Sequence, residues 1–365
     1  MVDFATYKKI HRDDKGERVI FITPPKDDIS DDKIRDMFRL ENAEPPPEPY
    51  LCLFPSTIIG YNLRRKKWSM LSSLSYLDHA DKVPADLKVD RIEDVAWNQG
   101  AFETLAVEDE TRELVQALVM NKLTAERGTD IISGKGNGLI ILLHGGPGTG
   151  KTYTAETVAE VAKKPLYRVT CGDVGTEPEV VEKYLDSVLY LGKIWDCVVL
   201  LDEADVFLEE RGLSDLKRNA LVSVFLRVLE YYDGILILTS NRVGTFDEAF
   251  KSRIQLALHY ESLANWQRRK IWRNFMTRLK SFGDQDIDFD NVEDRLDELA
   301  KVRLNGREIR NAISNARQLA QYRKKTMTFN ELDHVIKVAA KFDTYLTKVR
   351  QGLLDDQVAR TEGLR

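Results

Sequence analysis

The stretch Gly145-Gly146-Pro147-Gly148-Thr149-Gly150-Lys151-Thr152 decides how this chain is read. Before it runs Leu139-Ile140-Ile141-Leu142-Leu143, an unbroken apolar run of the kind that fills a buried parallel strand, and after it Tyr153 to Lys163 has helical spacing. A glycine-rich turn between such a strand and helix is built to receive a polyphosphate. Glycines 145, 148 and 150 permit conformations and close approaches that a side chain blocks, so several N–H groups and the helix N-terminus converge on one anion. Lys151 adds a mobile cation for the outer phosphates, the Thr152 hydroxyl suits an accompanying Mg²⁺, and Tyr153 opens the helix beside them.

Four further groups follow in order. Cys197-Val198-Val199-Leu200-Leu201-Asp202-Glu203 reads as a buried strand ending in two carboxylates. Because ligands of a parallel sheet sit at the C-terminal ends of its strands, Asp202 is expected beside a metal held by Thr152, with Glu203 suited to activate an attacking water. The strand Ile235-Leu236-Ile237-Leu238 runs into Thr239-Ser240-Asn241, where the Asn241 amide can hold the water or a phosphate oxygen without adding charge. Phe246 to Ile254 then carries Arg253, which in isolation reads as a surface arginine and in this order reads as a finger reaching the transition-state charge of a neighbouring subunit. Gly306-Arg307 opens a later helix, and Arg307 is expected either on the nucleotide or simply at a helix start.

Asp202-Glu203-Ala204-Asp205 also spells the DEAD of RNA helicases, which need a second α/β domain with its own arginine motif. The 365 − 253 = 112 residues after Arg253 read as all helix, and the phosphate loop opens with Gly145 where those helicases usually have Ala. Neither a guanine-specifying NKxD motif nor an ABC-type signature is visible.

The ordered set resembles the AAA+ ATPase family: GGPGTGKT, then VVLLDEAD, TSN, the Ser252-Arg253 pair and a helical lid, covering Trp97 to Phe342. Stretches such as Arg218 to Arg227 and Asn241 to Ile254 are similar to a group of fungal AAA proteins with an N-terminal domain of unknown function, to whose C-terminal part residues 1–95 would correspond. The resemblance implies ATP and Mg²⁺ as cofactors, with Lys151 and Thr152 on phosphate and metal, Asp202 on metal, Glu203 on the water, Asn241 near the γ-phosphate and Arg253 on a neighbour's nucleotide. It places Asp130-Ile131-Ile132 near the adenine. A homo-oligomer, a hexameric ring, is implied, together with a protein substrate that the sequence does not name. Family members that thread polypeptide carry an aromatic-hydrophobic-Gly loop after the second strand, whereas Thr170 to Pro178 contains no aromatic. Two function classes stay open: a motor that remodels a protein partner, and a slow assembly scaffold ordered by nucleotide.

The rest of the chain bounds these readings. With 43% hydrophobic and 31% charged residues it can bury more than one core, and a net charge of −5 gives no signal for nucleic-acid backbone binding. Three scattered cysteines argue against a disulfide scaffold or a Cys-rich zinc site. No apolar stretch approaches the ~18 residues of a membrane span and the N-terminus lacks a secretory core, so a soluble intracellular protein is expected, cytoplasm or nucleus undistinguished. The expected fold is an α/β doubly wound parallel sheet of the P-loop type with a C-terminal helical lid and a partial β-rich N-terminal region. Its divisions are 1–95, a β-rich module or the remnant of one with short strands at Val19 to Ile22 and Leu51 to Phe54; 96–262, the core; 263–345, the lid; and 346–365, a tail. Helices are expected at Asp109 to Asn121, Asn265 to Lys280, Val292 to Val302, Gly306 to Arg323 and Phe329 to Val349, the last behind a capping box at Thr328 to Glu331.

Overall fold

The computed structural model describes residues 57–63, 66–70, 87–88, 95–124, 138–170, 177–208, 216–241, 246 and 248–350. The expected strands at 19–22 and 51–54, the adenine segment 130–132, most of the loop 170–178 and the tail beyond 350 lie outside them. The chain forms two compact units, Met1–Ala96 and Trp97–Arg365. In the first unit, β1 (Thr57–Asn62) pairs antiparallel with β2 (Lys67–Met70) and with β3 (Leu87–Lys88).

The second unit is built on one five-stranded parallel sheet. Its strands are β4 (Leu139–Gly145), β5 (Leu166–Thr170), β6 (Val198–Asp202), β7 (Ile235–Ser240) and β8 (Leu256–Tyr260), laid side by side in the order β5-β6-β7-β4-β8. Every residue of β6 and β7 is buried, which is why these strands read as continuous apolar runs without alternation. Each fully buried Leu or Ile adds roughly 1.5–3 kcal/mol of transfer free energy. The edge strand β8 was not expected from sequence. Only one of its faces is covered, so Leu256-Ala257-Leu258-His259-Tyr260 alternates and is too short to announce itself. The topology places β7 between the phosphate-loop strand β4 and the acidic strand β6, bringing three strand ends together at the carboxyl end of the sheet.

Helix α1 (Asp109–Thr124) packs behind β4, and α2 (Lys151–Ala162) leaves the phosphate loop, buries Ala155, Val158 and Ala159, and ends on Lys163 in a left-handed cap. The sheet core gathers Ile141, Leu143, Val198, Leu200 and Ile237 with that helix face. On the opposite face, α3 (Pro178–Ile194) and α4 (Asp205–Leu208) pack with α5 (Leu216–Glu230); α6 (Glu248–Lys251) precedes β8.

The chain then turns all-helical: α7 (Asn265–Ser281), α8 (Phe289–Glu293), α9 (Leu296–Lys301), α10 (Gly306–Tyr322) and α11 (Phe329–Arg350). Ile309, Ala312, Ile313, Ala316 and Ala320 make the helical stripe of α10 and meet Trp272, Met276, Leu296 and Leu299 in a second core. The continuous helix expected from Val292 to Val302 is instead two short helices separated at Asp294 and Arg295. The break leaves the Arg295 guanidinium 4.8 Å over the Phe329 ring while Val292 and Leu296 both stay buried. One half of the capping box before α11 forms: Glu331 Oε2 accepts from the Thr328 N–H at 3.1 Å and its hydroxyl at 2.6 Å, while Thr328 Oγ1 accepts from the Asn330 N–H at 3.3 Å, one residue short of Glu331.

Candidate functional site

The phosphate loop joins β4 to α2, and its glycines differ in what they are needed for. Gly145, Gly148 and Gly150 have φ of 141°, 74° and 106°. At Gly145 a Cβ would also lie 2.1 Å from the Tyr260 carbonyl oxygen, and at Gly148 2.5 Å from Asn305 Oδ1; at Gly150 the space is open and only the backbone angle demands glycine. Gly146 keeps an ordinary backbone, Pro147 sits between them, and Thr149 Oγ1 donates to the Gly146 carbonyl at 2.8 Å.

Lys151, 6% exposed, folds back so that Nζ donates to the carbonyl oxygens of Gly145 at 2.9 Å and Gly146 at 2.6 Å. Burial pulls its ammonium down from the usual lysine range. The Arg307 charge works in the same direction, while Asp202, Asp205 and Glu203 work against it. A polyphosphate would supply the counter-charge that the carbonyls only partly provide. Tyr153 is exposed, its hydroxyl 2.7 Å from Thr104 Oγ1.

At the end of β6, Asp202 is 5% exposed and its oxygens lie 3.3 and 3.5 Å from Thr152 Oγ1. The same carboxylate accepts from Thr239 Oγ1 at 2.5 Å and from the Arg168 guanidinium at 2.5 Å. Glu203 is exposed and sits at φ 60°, a left-handed conformation that a non-glycine residue holds only at some cost. Its N–H donates to Thr239 Oγ1 at 3.0 Å, and the Ala204 N–H to the Thr239 carbonyl at 2.8 Å. Thr239 therefore clamps the turn bearing both carboxylates. Asp205 does the same for the next strand end: it accepts from the Ser240 hydroxyl at 2.5 Å and the Asn241 N–H at 3.2 Å, holding Asn241 level with the loop.

An oxygen-only pair such as Thr152 and Asp202 suits Mg²⁺, which keeps most of its waters and takes oxygens from the phosphates themselves. Among the described residues no group of three or more His, Cys, Asp or Glu side chains could cage a metal alone. The residues present fit an ion that arrives with a nucleotide.

The helical second core reaches this loop through the start of α10. The Gly306 N–H donates to the Gly148 carbonyl at 2.9 Å, and Asn305 caps the helix by accepting from the N–H groups of Arg307 at 2.9 Å and Glu308 at 3.0 Å. Arg307 thus stands one residue past the contact.

Arg253 does not join its own chain's loop. It precedes β8, whose first residue Leu256 pairs with Ile141 and whose last, Tyr260, pairs with Gly145, so the arginine lies at the end of the sheet away from the phosphates. There it donates to the Ala249 carbonyl at 2.9 Å and to Glu230 Oε2 at 3.1 Å. Sequence reading missed Thr239, Asp205, Arg168 and Asn305. The signals were a hydroxyl at the end of an apolar strand, a carboxylate three residues after Asp202, a cation inside a strand, and Asn before a helical Gly.

Comparison with known families matches residues 141–262 to the ATPase family associated with various cellular activities (AAA), and 263–353 to a fungal AAA+ ATPase lid domain. The chain is similar to human ATPase family AAA domain-containing protein 3B, 29% identical over 36% of this chain and 22% of that protein. It is similar to the Drosophila melanogaster homologue of protein 3A, 28% identical over 45% of this chain and 29% of that one. It is also similar to Lon protease of Mycolicibacterium smegmatis, 25% identical over 50% of this chain and 26% of the protease. The matches thus span less than a third of each of these relatives' length. Among the described residues no helix is long and apolar enough to cross a membrane.

Proposed function

Because this chain belongs to the AAA ATPase family, with a lid of the fungal kind, and carries that family's ATP-hydrolysing domain, we propose that it hydrolyses ATP with Mg²⁺ and couples the cycle to remodelling a protein partner or complex. The observation that carries this reading is that Asp202, within reach of the Thr152 hydroxyl, shares the single hydroxyl of Thr239 with the backbone N–H of Glu203. The working divisions are 1–95, the core 96–262, the lid 263–345 and the tail 346–365, with the core assembling as a ring, most simply a hexamer.

In this mechanism residues 145–153 surround the polyphosphate, and Lys151 leaves the Gly145 and Gly146 carbonyls for the outer phosphates. Thr152 and Asp202 would hold Mg²⁺, which when bound offsets the charge growing on the phosphate oxygens. Glu203, exposed at the end of β6, orients a water and takes its proton. Asn241 steadies that water or a γ-phosphate oxygen, Arg307 approaches from the lid, and Arg253 serves the site of an adjacent subunit. A second reading, a slow scaffold assembled by nucleotide, draws its support from the loop 170–178, which offers no aromatic to grip a polypeptide.

The test is Glu203→Gln. ATP binding should be retained and hydrolysis should fall about 10²- to 10⁴-fold, the scale of a general base. The amide inherits the same backbone strain, so the melting temperature should stay close to the parent's. Loss of binding together with turnover, or unchanged turnover, removes Glu203 from this role.

A further inference from the structure

Arg168 lies in the middle of β5, between buried Tyr167 and Val169, with its own side chain facing outward. Its strand partner is Leu200, two residues before Asp202, yet its guanidinium reaches Asp202 Oδ2 at 2.5 Å. The arginine side chain is 49% exposed and the aspartate 7%. Since Thr239 already holds Oδ1, the side of this carboxylate open to a cation is occupied by one. Glu156, one turn along α2 from Thr152, lies within electrostatic reach of both Arg168 and Asp202.

We infer that Arg168 is the resident counter-ion of Asp202 and competes with the Mg²⁺ that comes with the nucleotide, so that metal loading requires the guanidinium to leave Oδ2 and turn to Glu156. This rests on reading Thr152 and Asp202 as the metal pair. A buried carboxylate without a cation is costly, which gives the arginine its place before the metal arrives. A guanidinium and a dication drawn to the same oxygen repel each other, which sets the two occupancies in competition. A long side chain half in water can move from one carboxylate to the other without disturbing the packed sheet. The consequence is a graded site: metal-free nucleotide meets a neutralised Asp202, and the metal gains its full ligand only after the arginine has gone.

The experiment compares the affinity of the full chain for ADP in EDTA and in Mg²⁺. The ratio measures the coupling between metal and nucleotide, and any uniform loss of attraction to phosphate from removing a positive charge cancels in it. Arg168→Gln should raise the ratio about three- to tenfold, the weight of one charge-assisted hydrogen bond discounted for solvent. Arg168→Lys, which keeps a competing cation, should fall between the two. Adding Mg²⁺ with ADP should also raise the melting temperature of Arg168→Gln by more than that of the parent, which checks that the variant is folded. A ratio in Arg168→Gln that is unchanged or smaller overturns the inference. Asp202→Asn separates the two levels: a ratio near one supports the metal pair whatever happens at 168, whereas a ratio like the parent's removes the metal pair and the role of Arg168 with it.

Discussion

Thr239 shows how much one hydroxyl can organise. It donates to the Asp202 carboxylate at 2.5 Å and accepts from the Glu203 N–H at 3.0 Å, so one atom holds the carboxylate proposed for the metal and the backbone of the residue proposed for the water. Thr239→Val keeps the shape and removes both bonds, leaving a partly buried N–H and carboxylate under-satisfied. The expected cost is about 1–3 kcal/mol of stability by thermal or denaturant unfolding, with hydrolysis falling further than ADP affinity because both carboxylates lose their orientation. Unaltered stability and turnover would show that the clamp is idle. The neighbouring Glu203 illustrates the limit of reading residues singly: its identity pointed to a water-activating carboxylate, whereas its φ of 60° belongs to a turn in which Thr239 accepts from the N–H groups of both Glu203 and Ala204.

At the scale of elements, the first turn of α10 is both a helix start and a wall of the phosphate loop. Asn305 and Asp are nearly equal N-caps, while Ala is not, and this separates the two roles. Asn305→Ala should lower stability by about 0.5–2 kcal/mol. Asn305→Asp should leave the melting temperature close to the parent's yet weaken nucleotide binding by roughly five- to thirtyfold, since a new negative charge stands where Gly148 presents its carbonyl to Gly306. Calorimetric titration with ADP at low salt checks this, and equal affinity for both chains would mean that the lid stands away from the loop when nucleotide is bound. The amphipathic stripe of α10 and the capping box before α11 were legible as sequence because both are local. The break between α8 and α9 was not, and it goes with a contact no local spacing encodes, Arg295 over Phe329 more than thirty residues away.

At the scale of the whole molecule the open question is where Arg253 acts. Its place at the far end of the edge strand, paired with Glu230, leaves it no route to its own Lys151, so a finger role requires a neighbour and the exchange of that ion pair. An arginine finger is typically worth ~10³- to 10⁵-fold in rate. Arg253→Ala should therefore nearly abolish hydrolysis while ATP still binds, and Lys151→Ala should lose nucleotide while keeping its finger. Mixing the two inactive chains under subunit exchange should restore part of the turnover, read as phosphate release. Full activity of Arg253→Ala, or of a demonstrated monomer, would sink the trans assignment.

The sequence by itself determined whatever depends on neighbours along the chain: the strand-loop-helix of residues 139–163, the apolar runs of β6 and β7, the carboxylates at the end of one and the amide at the end of the other, and the helical character after Tyr260. These follow from periodicity and from the few residues that tolerate a given backbone angle. The tertiary structure alone decided which strand ends became neighbours. The strand order β5-β6-β7-β4-β8 sets Thr239 between Asp202 and the loop and lets the mid-strand cation Arg168 reach a carboxylate on the next strand, while the packing of the helical lid seats Asn305 on Gly148. Such pairings join residues far apart in the chain, and no local spacing encodes them. Their partners are chosen by how the buried faces pack.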